Sequence, residues 1–148
     1  MSLKKTILDD VKTAMRAGDK TRLGTLRLIT AAIKQREVDE RFELVDSDVL
    51  AVIEKMIKQR RDAEQQYLKA DRSDLAAIEQ SEIVILQDYQ PTQLGDDELV
   101  AAVEAEIAAQ GASGMQAMGQ VMAALKSSLQ GKADMAKVSQ LVKQLLNA

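Results

Sequence analysis

Pro91 is the one proline in the chain, and on both sides of it apolar residues recur at the three- and four-residue spacing of helix faces. A chain so free of proline can run as long helices. The exception marks a stop, because proline disfavours helical geometry at the residue before it, here Gln90. Aromatic residues are only Phe42, Tyr67 and Tyr89, which leaves the core to Leu, Ile, Val, Met and Ala. Good helix formers dominate that set, so an all-α fold is expected and a β-sandwich is not. Apolar residues make up 46% of the chain and charged residues 29%, a balance that sustains packed cores rather than disorder.

The periodicity divides the chain further. Leu3, Ile7, Val11, Ala14 and Met15 mark a first helix ended by Gly18. Leu23, Leu26, Ile29, Ala32 and Ile33 mark a second that closes near Glu37, with Leu28 widening its buried face. Residues 39–45 read as a connection whose Phe42 plugs the core, after which Asp46 or Ser47 caps a third helix over 48–69. Ser73 is the expected cap of a fourth helix, with Leu75, Ile78, Ile85, Leu86 and Tyr89 facing inward. Beyond Pro91 come three shorter helices, over 97–110, over 114–129 and after a cap at Asp134, separated by Gly111 and Gly131. The expected organisation is a four-helix N-terminal domain at 1–90, a short Pro-containing linker at 91–96 and a three-helix tail domain at 97–148.

Several function classes drop out. Residues 107–125 carry no charge and approach the length of a membrane span, but Gln110, Ser113, Gln116 and Gln120 interrupt them and Gly111 and Gly114 break the helix, so no membrane insertion is expected. Asp9 and Asp10 stand where a secretory leader carries its apolar run, and cysteine is absent, so the expected compartment is the cytoplasm. Histidine is absent too. Ser-His-Asp and Cys-His machinery and Cys/His zinc sites therefore cannot be assembled, and no catalytic residue, metal or cofactor is assigned. Gln130-Gly-Lys-Ala133 resembles a phosphate loop only superficially, since Lys126 replaces the earlier glycine and no Ser or Thr follows Lys132. It reads as a helix stop.

Charged residues leave two readings open. Glu79 and Glu82 share a helix face with Asp74 upstream, an arrangement open to magnesium binding or acid–base chemistry, although a solvated or salt-bridged face is the plainer reading. The methionines Met115, Met118 and Met122 read as helix core, with an adaptable binding groove as the alternative. Net charge is −3, so any nucleic-acid contact has to be local. Lys55, Lys58, Arg60 and Arg61 crowd the third helix, and Arg22, Arg27, Lys34 and Arg36 recur on the second; Lys126, Lys132, Lys137 and Lys143 lie in the tail. Internal pairing, as of Arg27 with Glu79, Glu82 or Asp62, competes with phosphate contact. The candidate nucleic-acid contacts are Lys58, Arg61, Lys126, Lys132 and Lys137.

Arg22-Leu-Gly-Thr-Leu-Arg-Leu-Ile-Thr-Ala-Ala-Ile-Lys-Gln-Arg-Glu-Val-Asp39 resembles the second-helix signature of the YqeY family. Lys58-Gln-Arg-Arg-Asp-Ala-Glu-Gln-Gln-Tyr67 and Arg72-Ser-Asp-Leu-Ala-Ala-Ile-Glu-Gln-Ser-Glu-Ile83 extend the likeness through the N-terminal helices. Tyr89-Gln-Pro91 departs slightly from the usual Tyr-Leu-Pro. Met118-Gly-Gln-Val-Met122, Gly131-Lys-Ala-Asp134 and Val138-Ser-Gln-Leu-Val142 resemble the tail that this family shares with GatB, the B subunit of the glutamine-dependent tRNA amidotransferase. There the tail helps to hold misacylated tRNA while a separate cradle domain does the chemistry. The resemblance covers the helical appendages and not the cradle. It implies an accessory module that binds tRNA or joins an amidotransferase or translation complex, with Lys132 among the contacts. Carbon–nitrogen ligase activity with glutamine as amide donor is then inherited by association. A protein-interaction module without an RNA role and an autonomous ligase are the other readings, and the oligomeric state is left open.

Overall fold

The computed structural model describes residues 2–147, and among these every regular element is helical. Seven α-helices follow one another: α1 Leu3–Ala17, α2 Lys20–Glu40, α3 Asp46–Lys69, α4 Ser73–Gln87, α5 Asp96–Gln110, α6 Met118–Leu129 and α7 Met135–Leu146, with a 3₁₀ turn at Met115–Ala117 before α6. Two compact units divide between Gln90 and Pro91.

In the first unit the apolar stripes of α1 to α4 close on one core. Ile7 and Ala14 come from α1, Leu26, Ile29 and Ile33 from α2, Val49, Ile53, Met56 and Ile57 from α3, and Ile83 and Leu86 from α4. The α3–α4 hairpin is its most extensive packing. Gly18 ends α1 in the left-handed conformation, φ 71°, which a side chain would resist, and the next N–H, that of Asp19, donates to the Ala14 carbonyl. Asp19 then accepts the Arg22 N–H at 3.1 Å and starts α2 at once.

Several expectations for this unit are corrected. Helix α2 runs on to Glu40, where Arg41 turns left-handed at φ 59°. That turn sends Phe42 outward, 45% exposed, and carries Leu44 into the core in its place, with its N–H on Glu37 Oε2 at 2.9 Å. Asp46 is the first residue of α3 rather than its cap, and its carboxylate accepts the Leu3 N–H at 2.8 Å, tying the starts of α1 and α3 together. Val45 takes the cap position, its N–H held by Asp48 at 3.1 Å. Ser73 likewise lies inside α4, with Arg72 before it. Leu28 and Ile78 are about half exposed, so Leu28 does not widen the buried face of α2 and Ile78 does not face inward from α4.

In the second unit Leu99 and Val103 of α5, Val121, Leu125 and Leu129 of α6 and Val138, Val142 and Leu146 of α7 form a separate core. The methionines border it: Met118 and Met122 pack partly buried while Met115 is exposed on the 3₁₀ turn. Asp134 caps α7 by accepting the Ala136 N–H at 3.0 Å. Residues 93 and 94 are tied to the turn between α6 and α7, where the Leu94 N–H donates to the Lys132 carbonyl at 2.9 Å and the Gln93 amide to that of Gly131. Among the described residues no helix is long and apolar enough to cross a membrane.

Candidate functional site

The residues with chemistry to offer fall into three groups. The first lies on the α3–α4 hairpin, where Arg60 donates to Glu82 at 2.7 Å and to the Met56 carbonyl at 3.2 Å. Burial raises the pKa of nearby Glu79 above the usual carboxylate range, and the charge of Glu82 adds to that effect while Arg60 opposes it. Glu64 contributes a third carboxylate, one oxygen of which is enclosed without a hydrogen-bond partner. Of the two sequence readings of the Glu79/Glu82 face, the salt bridge holds for Glu82. Among the described residues no group of three acidic, histidine or cysteine side chains is arranged to hold a metal ion.

The second group lies where α4 ends in the same unit. The Tyr89 hydroxyl donates to Asp10 at 2.7 Å, and Arg22 reaches both that hydroxyl, at 3.4 Å, and Asp88, at 3.1 Å. Burial foremost, and then the bond to Asp10, holds the phenol protonated well above its ordinary range. This joins α1, α2 and the end of α4. Glu37 does the same elsewhere: the Lys4 ammonium at 2.8 Å and the Leu44 N–H keep its carboxyl below the usual range. Between α2 and α3 lies an open cleft of about 620 Å³ over Val52 and Met56, rimmed by Arg36, Lys55, Asp39 and Glu40. Its two cations and two anions balance, and Arg36 is already bound to Glu40 at 2.6 Å, so it favours neither sign of ligand.

The third group is the lysines. Lys58 and Arg61 are exposed on α3, three residues apart, with no partner among the described residues. In the second unit Lys126 stands in the last turn of α6, Lys132 in the following turn and Lys143 in the last turn of α7. All three are exposed and without a partner among the described residues. The backbone of Lys132 is hydrogen-bonded on both sides, its N–H donating to Leu129 and its carbonyl accepting from Leu94, each at 2.9 Å, so an exposed side chain rides on a turn held at both of its backbone groups. Lys137 differs, for Asp96 at the start of α5 binds it. Charge in this unit is segregated: Asp96, Asp97, Glu98, Glu104 and Glu106 all belong to α5, whereas every lysine belongs to α6, α7 or the turn between them, with Asp134 the sole acid there. Lys143 is not among the contacts expected from the sequence. Its spacing from Lys132 gives no helical signal, since a turn intervenes.

Residues 4–146 match the family model described as Yqey-like protein. The chain belongs to the YqeY family. Among curated relatives, the "Altered inheritance of mitochondria protein 41, mitochondrial" of Lachancea thermotolerans is 40% identical over 99 residues, 66% of this chain and 50% of that protein. The protein of the same name from Pyrenophora tritici-repentis is 32% identical over 143 residues, 94% of this chain and 78% of its own length. An uncharacterized protein of Schizosaccharomyces pombe is 34% identical over 89 residues, 60% of this YqeY-family chain and 69% of its own length. The chain thus spans about half the length of the first of these relatives. Their names overturn the expectation of a cytoplasmic protein, since relatives along most of the chain are named as mitochondrial. The physical reason for the error is that freedom from cysteine suits any reducing compartment equally and cannot single one out.

Proposed function

We propose that this YqeY-family protein is an accessory module for tRNA amidotransfer, in which the second unit contacts tRNA phosphates and the amide-transfer chemistry belongs to a larger assembly. The supporting observation is the segregation of charge in the second unit, where Lys126, Lys132 and Lys143 stand exposed, without a partner among the described residues, on elements almost free of acid. Phosphate contact needs locally concentrated positive charge and no net positive total, so a chain of net charge −3 remains competent for it. Lys58 and Arg61 offer a smaller patch of the same character on the first unit. Lys137 is the weakest of the set because Asp96 already occupies it.

The test is a fluorescence-anisotropy titration of labelled tRNA at several salt concentrations. Wild type should bind more weakly as salt rises, and Lys126→Ala/Lys132→Ala/Lys143→Ala should lower the salt slope by about one unit per phosphate contact removed. Absence of binding at low salt, or an unchanged slope in the triple variant, would sink this reading.

A further inference from the structure

The α2 stretch 22–39 carries five charged side chains up to Glu37, and the fold uses only some of them. Arg22 binds Asp88 and Tyr89, Arg36 binds Glu40, and Glu37 binds Lys4. Arg27 and Lys34 have no partner among the described residues and both are exposed. The expected pairing of Arg27 with Glu79, Glu82 or Asp62 does not form, and Glu82 is held by Arg60 instead. Seven residues apart, Arg27 and Lys34 stand on one stripe about 10 Å long, with Thr30 and Ala31 between them.

That stripe borders a groove of about 460 Å³ between α1 and α2. Leu8 enters it from α1 and is 44% exposed, and Ala31 and Ile33 continue its apolar surface on α2. Lys4 and Glu37 close the remaining edge as an ion pair, with Glu43 3.7 Å from the same ammonium. The groove therefore has an apolar floor and, from Arg27 and Lys34, two positive charges with no partner among the described residues. The cleft between α2 and α3 is larger but internally neutral, and so carries no such preference.

We infer that the α1–α2 groove is a docking site for an acidic amphipathic helix of a partner protein. Its recognition face carries acidic residues seven apart, matching Arg27 and Lys34, and apolar residues three and four positions beyond the first acid, which cover Leu8 and Ala31. Charge complementarity sets the register and sign, and burial of the half-exposed leucine supplies the apolar contact. A phosphate backbone would satisfy the cations but leave Leu8 in water, so the observations favour a helix over nucleic acid. This site lies wholly in the first unit and includes none of the tail lysines, so it does not depend on tRNA binding by the second unit.

The experiment uses the full chain and a fluorescein-labelled alanine-based peptide of about 16 residues, long enough to hold a helix, carrying Glu and Leu in that pattern. A control peptide has Lys in place of Glu. The acidic peptide should bind, more weakly as salt rises, and the basic one should not. Arg27→Glu/Lys34→Glu should lower its affinity about tenfold or more, and Leu8→Glu should do likewise. Both cations are exposed and without a partner among the described residues, so circular dichroism should show the double variant folded; if it does not, Arg27→Gln/Lys34→Gln serves, with a smaller fall. Equal binding of both peptides, no binding, or an affinity unchanged in the variants overturns the proposal. So does loss of tRNA binding in the double variant without any binding of the acidic peptide, which reassigns the groove to nucleic acid. A concentration-dependent dimer in sedimentation that the double variant abolishes would assign the groove to a second copy of the chain and overturn the proposal as well.

Discussion

Glu79 shows how one side chain reports its surroundings. It faces Glu82 on its own helix and Arg60 and Glu64 on α3, and only Glu82 is directly bound by the arginine. Burial and the neighbouring carboxylates raise its pKa above the ordinary 4.5, so folding takes up a proton at this position as pH falls toward that value. The corresponding stability is fully present below pH 4.5 and is lost as pH rises through the raised folded value. At neutral pH the ionised group works against the fold. Glu79→Gln should therefore raise the melting temperature by about 2 °C at neutral pH, with the gain shrinking as both proteins are melted near pH 4. A gain that grew on acidification would contradict the assignment. The spacing of Glu79 and Glu82 put both on one face in the sequence, but Arg60 as the partner of Glu82 was not legible there. Twenty-two residues and a helical hairpin separate Arg60 from Glu82.

At the scale of the element, the helices themselves were readable and their ends less so. Apolar spacing and the glycines locate α1 to α7 because both act within a turn or two of chain. Asp134 caps α7 as its residue type suggested, yet Asp46 and Ser73 became helical residues, since the donors and turns they met were set elsewhere in the fold. The end of α2 is the clearest case. Arg41 adopts φ 59° without the freedom of glycine, and by doing so exchanges Phe42 for Leu44 in the core. Arg41→Gly should relieve that strain and stabilise the protein by about 0.5–1 kcal/mol in urea denaturation, less whatever backbone entropy glycine adds to the unfolded chain. Destabilisation would mean that the exposed arginine side chain contributes more than its backbone conformation costs.

For the molecule as a whole, the distribution of charge matters more than its sum. Acid is gathered on α5 and lysine on α6, α7 and their turn, so the proposed tRNA contact works against repulsion from α5. Asp97→Asn/Glu98→Gln/Glu104→Gln removes three acids without touching a lysine, and should tighten tRNA binding about threefold at low salt, with less effect at high salt. An unchanged affinity, measured by the same anisotropy titration, would place the contact out of reach of α5.

The sequence by itself determined the helical class, the helix breaks and the absence of imidazole and thiol chemistry, because these rest on residue type and local period. Only the tertiary structure decided which charges are neutralised. Arg22 meets Asp88 across 66 residues and Lys4 meets Glu37 across 33, while Arg27 and Lys34, on the same helix as Arg22 and Glu37, meet nothing among the described residues. An ion pair depends on the distance between two side-chain tips, which the packing of helices sets and the spacing along one helix does not.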